Sequence, residues 1–308
     1  MSEPDEVGAT AAARVAVQVA RVRASHERLL AEVAVLPPDV ARRDSQLPGW
    51  TVGHVLTHLA RNADSHAGIL EGASRSEVVP QYPGGPAQRL ADIDAGAGRE
   101  LGALLADLRA SITQLEASYG ATPPAAWETG TALLGAGERP LAELPFRRWR
   151  EVEVHRVDLG TGATPESWPR GYVIEELAHQ VVRVADRLPP ERSLVLRTTD
   201  TGQAWEITPA RVKPRPGPIG LPRRPGPEGG GARATPRPPG GKPPVSSQGA
   251  GAASTAPPAR AGTDPEEPAP SSDPPAMTVE APAAELVAWL LGRLALPGAP
   301  TLASWEAR

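Results

Sequence analysis

Apolar residues recur every three or four positions in four successive stretches of the chain, which is the spacing of one face of an α-helix. Thr51 is a plausible N-cap for the second stretch, while Pro145 fits the first turn of the fourth and Gly160 fits its end. Segments rich in turn residues separate the stretches. The pattern predicts a four-helix bundle, with helices at about residues 7–36, 51–72, 87–118 and 145–160.

The hydrophobic pattern changes after the fourth helix. Residues 171–187 keep the helical spacing, but SLVLRTT (193–199) and QAWEITP (203–209) alternate like the two strands of a hairpin. A strand-like start and another amphipathic helix follow at 277–298. We therefore expect an α+β protein, with a helical bundle over residues 8–165 and a small α/β domain over residues 170–298.

Residues 213–276 consist mainly of Pro, Gly, Ala and Ser, with almost no large apolar side chain. Such a segment has no core that could offset the entropy lost on ordering. We expect a disordered insertion that interrupts the α/β domain, and we interpret it as a solvated tether rather than a binding tail.

Composition narrows the classes of function. The 308 residues carry a net charge of only −4, and the first 210 contain no basic stripe, so we expect neither a nucleic-acid nor a membrane partner. The absence of a long apolar run and of a signal-like N-terminus favours the cytoplasm. Cysteine is absent, which excludes disulfides, zinc-thiolate sites and a cysteine nucleophile. Any thiol chemistry needs a thiol from outside the chain.

Two pairs of residues have the spacing of metal ligands on a helix. Glu151 and His155 lie four positions apart, as do His54 and His58 on the second helix. Bundles build metal sites from side chains of facing helices, and two histidines with one glutamate form a known ligand set with an open position. The alternative is a solvated pair or a surface hydrogen bond. The remaining histidines are interpreted as structural or surface residues, namely His26, His66 and His179.

Three segments resemble the mycothiol-dependent maleylpyruvate isomerase family. They are GWTVGHVLTHLARNAD (49–64), YPGG (82–85) and RWREVEVHRVDLG (148–160), and they occur in the family's order. The resemblance covers about residues 8–210, and AAELVAWLLGR (283–293) is similar to the end of the family's C-terminal domain. It implies that the bundle is of the DinB-like metal-binding type.

The resemblance also implies a ligand set and a cofactor. The family's zinc ligands fall on His58, Glu151 and His155, and His58 is preferred to His54 because it directly precedes Leu59. His54 is then a residue of the helix's first turn. Zinc or another divalent ion would bind there, and mycothiol would supply the sulfur that this chain lacks.

The implied reaction is a cis–trans isomerisation. The thiolate would add to the double bond of maleylpyruvate, rotation would follow, and elimination would release fumarylpyruvate. Arg293 is the candidate catalytic and cofactor-binding residue, with capping of the last helix as its alternative role. Arg148 would line the pocket or pair with Glu151, and Asp158 would orient His155. The rival functions are a mycothiol S-transferase acting on electrophiles and a non-catalytic metal-binding bundle.

Overall fold

The computed structural model describes residues 10–302, apart from residue 136 and the ranges 189–191, 209–210 and 216–275. Most of the predicted insertion at 213–276 therefore lies outside the described residues. Within the described part, no helix is both long enough and apolar enough to span a bilayer.

The described chain is mostly helical, with two small sheets. The helices are α1 (Ala11–Ala34), α2 (Val52–Ser74), α3 (Gly85–Ala97), α4 (Leu101–Ala121), α5 (Pro124–Thr129), α6 (Leu144–Asp158), α7 (Arg170–Val184) and α8 (Ala283–Leu290). The strands are β1 (Thr131–Leu134), β2 (Gly137–Pro140), β3 (Leu194–Thr198), β4 (Ala204–Thr208), β5 (Arg211–Arg215) and β6 (Met277–Ala281).

Helices α1, α2, α4 and α6 form the predicted four-helix bundle. Helix α2 packs on α4 and α6, and α1 packs on the same two helices from the other side. Their apolar stripes are fully buried in the middle of the bundle, as at Val22, Leu59 and Leu108. The predicted start of α2 and the predicted limits of α6 are confirmed, because Thr51 caps α2, Pro145 lies in the first turn of α6, and Gly160 follows α6 with φ +66°.

The prediction of one continuous helix over residues 87–118 is wrong. The chain leaves the helical conformation after Ala97 and re-enters it at Leu101, with Glu100 in an extended conformation at the N-cap of α4. The apolar stripe runs through the break without interruption, so periodicity alone could not show it. Gly96 and Gly98 flank the end of α3, where low helix propensity favours the break.

The end of α3 is pressed against α2. A Cβ atom added to Gly53 would lie 2.1 Å from the carbonyl oxygen of Ala97, so only glycine permits this approach. The contact holds α3 across the N-terminal half of α2, from which His58 projects.

The C-terminal part contains a four-stranded sheet in the order β5-β4-β3-β6. The predicted hairpin is confirmed as β3 and β4, while β6 adds parallel to β3, with Leu196 opposite Val279. Strand β5 corrects the predicted start of the insertion, because residues 213–215 pair with β4. Their sequence lacks the usual alternation and contains Pro214, which is tolerated because β5 is an edge strand.

A short hairpin that the sequence pattern did not predict precedes α6. Strands β1 and β2 pair antiparallel from Thr131–Pro140 to Leu134–Gly137. Four-residue strands give too short an alternation to be distinguished from a loop. The hairpin matters for the site because Leu134 and Gly135 reach the cavity described below.

The bundle and the sheet share one of the two hydrophobic clusters of the described residues. A single cluster of buried side chains continues from Val19 of α1 and Trp149 of α6 to Leu177 of α7 and Leu286 of α8. A buried ion pair between Arg150 Nε and Glu176, at 2.7 Å, also joins α6 to α7. The domain limits at 165 and 170 stay a prediction.

A buried carboxylate fixes α6 against α1. Glu153 is fully buried and accepts hydrogen bonds from Arg28 and Arg156, each at 2.6 Å, and from the Ser25 hydroxyl. The Trp149 indole donates to the same hydroxyl at 2.9 Å. Since α6 carries two of the candidate ligands, this network controls where they point.

Replacing Glu153 by leucine is expected to lower the free energy of unfolding by about 3–5 kcal/mol, because cationic groups then lose their buried partner. Urea denaturation of both proteins measures the difference. Glu100→Gln is the matched control, since Glu100 forms an exposed pair with Arg42 worth at most about 1 kcal/mol. Equal losses in the two variants would contradict the assigned role of Glu153.

Candidate metal centre

Three of the predicted site residues meet where α2 packs on α6. His58 lies in the second turn of α2, and Glu151 and His155 lie one turn apart on α6. His58 Nε2 is 2.9 Å from Glu151 Oε2 and 3.1 Å from His155 Nε2, and the last two atoms are 3.5 Å apart. The structure thus brings together the three side chains named from the sequence. That they bind a metal stays a prediction.

The triangle of ligand atoms has the size of one face of a tetrahedral metal site. Ligands about 2.0–2.1 Å from a tetrahedral ion are roughly 3.3 Å from one another. The three measured separations fall on both sides of that value. Two imidazoles and a carboxylate also form a donor set that suits zinc and several other divalent ions. The residues therefore fit a divalent cation.

Burial and neighbouring charges set the protonation of the cluster. Burial lowers the pKa of His58 to about 4, which keeps this imidazole neutral. Burial opposes the charged form of Glu151, but hydrogen bonds from His155 and His58 outweigh it and lower the pKa well below the usual value. For His155, burial is likewise outweighed by contacts with Asp158 and Glu151, which raise the pKa to about 9.

Asp158 and Arg293 form a second layer behind His155. Asp158 is fully buried, and its Oδ2 lies 2.8 Å from His155 Nδ1, as predicted for an orienting carboxylate. Arg293 donates to both oxygens of Asp158, at 2.7 and 2.9 Å, and to the carbonyl oxygen of Leu291. A side chain from the end of α8 thereby supports a candidate ligand on α6.

Arg293 does not line the cavity that contains His58. It borders a separate cleft with Gln46 and Gly162. The direct role in catalysis and cofactor binding expected for Arg293 stays a prediction, and the geometry favours an indirect contribution through Asp158.

The predictions for Arg148 and His54 have different outcomes. Arg148 is fully buried and donates to His26 Nε2, the Leu59 carbonyl and Asn62 Oδ1, so it neither lines the pocket nor pairs with Glu151. The side chain of Arg148 therefore points into the interior of the bundle and not toward the cavity. His54 has its predicted place in the first turn, where its Nδ1 accepts from the Thr51 backbone N–H at 3.1 Å.

The three other histidines are structural to different degrees. His26 is buried, and its Nδ1 lies 2.8 Å from Glu116. His179 stacks on Phe146 with ring centroids 4.6 Å apart. His66 is buried as well but borders the cavity of the cluster, where burial and the charge of Arg148 lower its pKa to about 3.

The cluster opens into a cavity of about 560 Å³. Trp50 forms part of its wall, with its ring centroid 5.8 Å from that of His58. Four arginines also line the cavity, and sequence reasoning did not select them: Arg89, Arg147, Arg150 and Arg183. Arg147 precedes Glu151 by one helical turn, and this spacing could have identified it as a neighbour of the site. Arg89 of α3 and Arg183 of α7 could be identified only from tertiary packing.

Arg89 makes a contact that conflicts with metal binding by His58. Its Nη2 lies 3.0 Å from His58 Nδ1, and because a guanidinium can only donate, Nδ1 must accept. A neutral imidazole that binds a metal through Nε2 carries its proton on Nδ1. The Arg89 contact and a metal bond at His58 Nε2 therefore exclude each other.

Together, the fold and the site define a helical-bundle protein with a candidate His-Glu-His metal centre and a small α/β unit. The sequence model of the mycothiol maleylpyruvate isomerase N-terminal domain matches residues 22–160. That range includes His58, Glu151 and His155. This match confirms the resemblance noted in the sequence over residues 22–160.

Two solved structures share the fold. One is the mycothiol-dependent maleylpyruvate isomerase, with 19% identity, and the other is a histidine-to-alanine mutant of it, with 18% identity. Each has a TM-score of 0.67, and each match covers 94% of this chain and 97% of the other. No curated protein sequence matches the chain significantly. At this identity the structural matches establish the fold.

Alanine substitutions at His58, Glu151 and His155 are each expected to abolish stoichiometric zinc binding, because two ligands cannot form the site. Metal analysis of purified proteins measures this. His54→Ala, on the same helix but outside the cluster, is the matched control and should retain zinc. Equal metal content in all five proteins, including the wild type, would show that the ligand assignment is wrong.

Arg89→Gln is expected to raise the affinity for zinc several-fold, since it removes both a competing donor and a nearby positive charge. Competition with a chromophoric chelator measures the change. Arg89→Lys keeps a positive donor and should show no gain. Weaker zinc binding by the glutamine variant than by the wild type would contradict the proton assignment at His58.

Proposed function

We propose that the protein is a mycothiol-dependent, zinc-dependent isomerase of the maleylpyruvate isomerase type. The observation that carries the proposal is the triangle of His58, Glu151 and His155 atoms at the end of a cavity large enough for small molecules. The matched domain family and the shared fold over 94% of the chain support it. The absence of cysteine requires the thiol to come from solution.

The substrate would be a small unsaturated acid, with maleylpyruvate as the first candidate. The thiol sulfur adds to the cis double bond, the resulting single bond rotates, and elimination returns the thiol and releases the trans isomer. When bound, a divalent ion lowers the pKa of a thiol and so favours the thiolate. The protein would hold this thiolate next to the acid inside the cavity.

Residues of the chain provide orientation and charge. Asp158 holds the His155 ring through Nδ1, and Arg293 fixes Asp158 in turn. Trp50 lies beside the His58 ring, with the ring centroids 5.8 Å apart. The four arginines of the cavity place positive charge where addition of the thiolate creates an enolate-like anion.

A mycothiol S-transferase is the second candidate. It would use the same ligands and the same thiolate, but the sulfur would stay on the electrophile. The charge of the cavity favours the isomerase, because four guanidiniums suit an anionic acid better than a neutral electrophile.

The proposal is tested by incubating zinc-loaded protein with mycothiol and maleylpyruvate. We expect fumarylpyruvate by absorbance or chromatography, with the thiol concentration unchanged, and no product with His155→Ala. A test electrophile such as monobromobimane is assayed in parallel.

Stoichiometric loss of thiol with the electrophile, without isomerisation, would instead assign the transferase. If zinc-loaded protein does neither reaction and binds no mycothiol by calorimetry, the protein is a non-catalytic metal-binding bundle. Either result would overturn the isomerase proposal.

A further inference from the structure

A second cavity adjoins the cavity of the candidate metal centre. It has a volume of about 450 Å³ and is formed by α1, α6, α7 and the β1-β2 hairpin, with Phe146 and His179 in its wall. The two cavities share three residues: Arg147, Arg150 and Arg183. These arginines therefore lie between the two cavities. Among the described residues, only the first cavity contains a His-Glu-His cluster.

The charges of the shared arginines are not balanced. Arg150 pairs with buried Glu176 at 2.7 Å, and Arg147 pairs with Glu143 at 2.9 Å. No carboxylate of the described residues lies within ion-pair distance of Arg183. Arg183 is exposed, and its partial burial, followed by the charges of Arg150 and Arg147, lowers its pKa. Two of the three shared guanidiniums thus have an ion-paired carboxylate, and Arg183 has none among the described residues.

An uncompensated guanidinium beside two others is a site for an anion. The planar fork of arginine binds a carboxylate through two parallel hydrogen bonds. Arg183 is in the last turn of α7, where a cation also stabilises the helix dipole. That structural role explains a positive charge at this position but not its convergence with Arg147 and Arg150.

We propose that Arg183, with Arg150 and Arg147, binds a carboxylate of the substrate and is the residue that makes the enzyme selective for anionic acids. One end of the acid would lie beside the His-Glu-His cluster, and the other end would extend past the arginines into the second cavity. Because Arg183 belongs to α7, the C-terminal part would contribute directly to substrate recognition. This assignment rests on the proposed function for the identity of the substrate.

The first experiment is calorimetric titration of zinc-loaded protein with maleate, a small cis-dicarboxylate. Arg183→Gln should weaken maleate binding by about tenfold or more, and Arg183→Lys should lie between the two because it keeps the charge but loses the fork. Arg170→Gln is the matched control: it removes the same charge from the same helix, at an exposed position that borders neither cavity, and should bind like the wild type. Zinc content is measured in every sample.

The second experiment is kinetic. In Arg183→Gln, the KM for maleylpyruvate should rise about tenfold or more with a smaller change in kcat, and consumption of thiol by a neutral electrophile should change less than turnover of maleylpyruvate. A purely structural role would alter thermal stability and would affect both substrates equally.

Maleate affinity that is the same in Arg183→Gln and the wild type would overturn the assignment. Preferential binding of inorganic phosphate would also overturn it and would indicate a phosphate ester as the ligand. If maleate binding depends on Arg183 but no thiol chemistry occurs, the anion site stands and only the proposed function fails.

Discussion

Two helices hold the nitrogen and oxygen atoms of His58, Glu151 and His155 within 3.5 Å of one another in a mostly buried site, and the rest of the structure depends on this contact. Polar atoms in such an arrangement are costly to bury unless each has a partner. The surroundings provide those partners in layers: Asp158 behind His155, Arg293 behind Asp158, and the Glu153 network that fixes α6 against α1. Asp158, Arg293 and the Glu153 network thus help to position the three side chains of the cluster.

Two arginines of the C-terminal part contact the site or its surroundings, which is consistent with the packing of this part against the bundle. Arg293, at the end of α8, acts on the centre through Asp158, while Arg183 of α7 reaches the cavity directly. One shared hydrophobic core keeps both helices in place. The C-terminal part thus supports a candidate ligand at one point and shapes the binding volume at another.

The residue pattern alone predicted the bundle, the start of α2, the limits of α6, the β3-β4 hairpin, and Glu151 and His155 as candidate ligands. These features follow from local patterns, since a cap, a proline and a spacing of four positions act within one or two turns. The break between α3 and α4 could not be predicted because the stripe from Ile93 to Leu108 continues across it. Arg89 and Arg183 could not be found because nothing in the sequence near them indicates which distant helix they approach. Choosing His58 over His54 required the family resemblance, since both have the spacing of a ligand.

We propose that His58, Glu151 and His155 hold a divalent ion that can accept a thiol. Zinc K-edge X-ray absorption spectroscopy of the reconstituted protein tests this proposal. We expect a first shell of nitrogen and oxygen at about 2.0–2.1 Å with the multiple-scattering pattern of two imidazoles, and a new sulfur scatterer at about 2.3 Å after mycothiol is added. A shell that lacks histidine, or one that does not change on addition of the thiol, would contradict it.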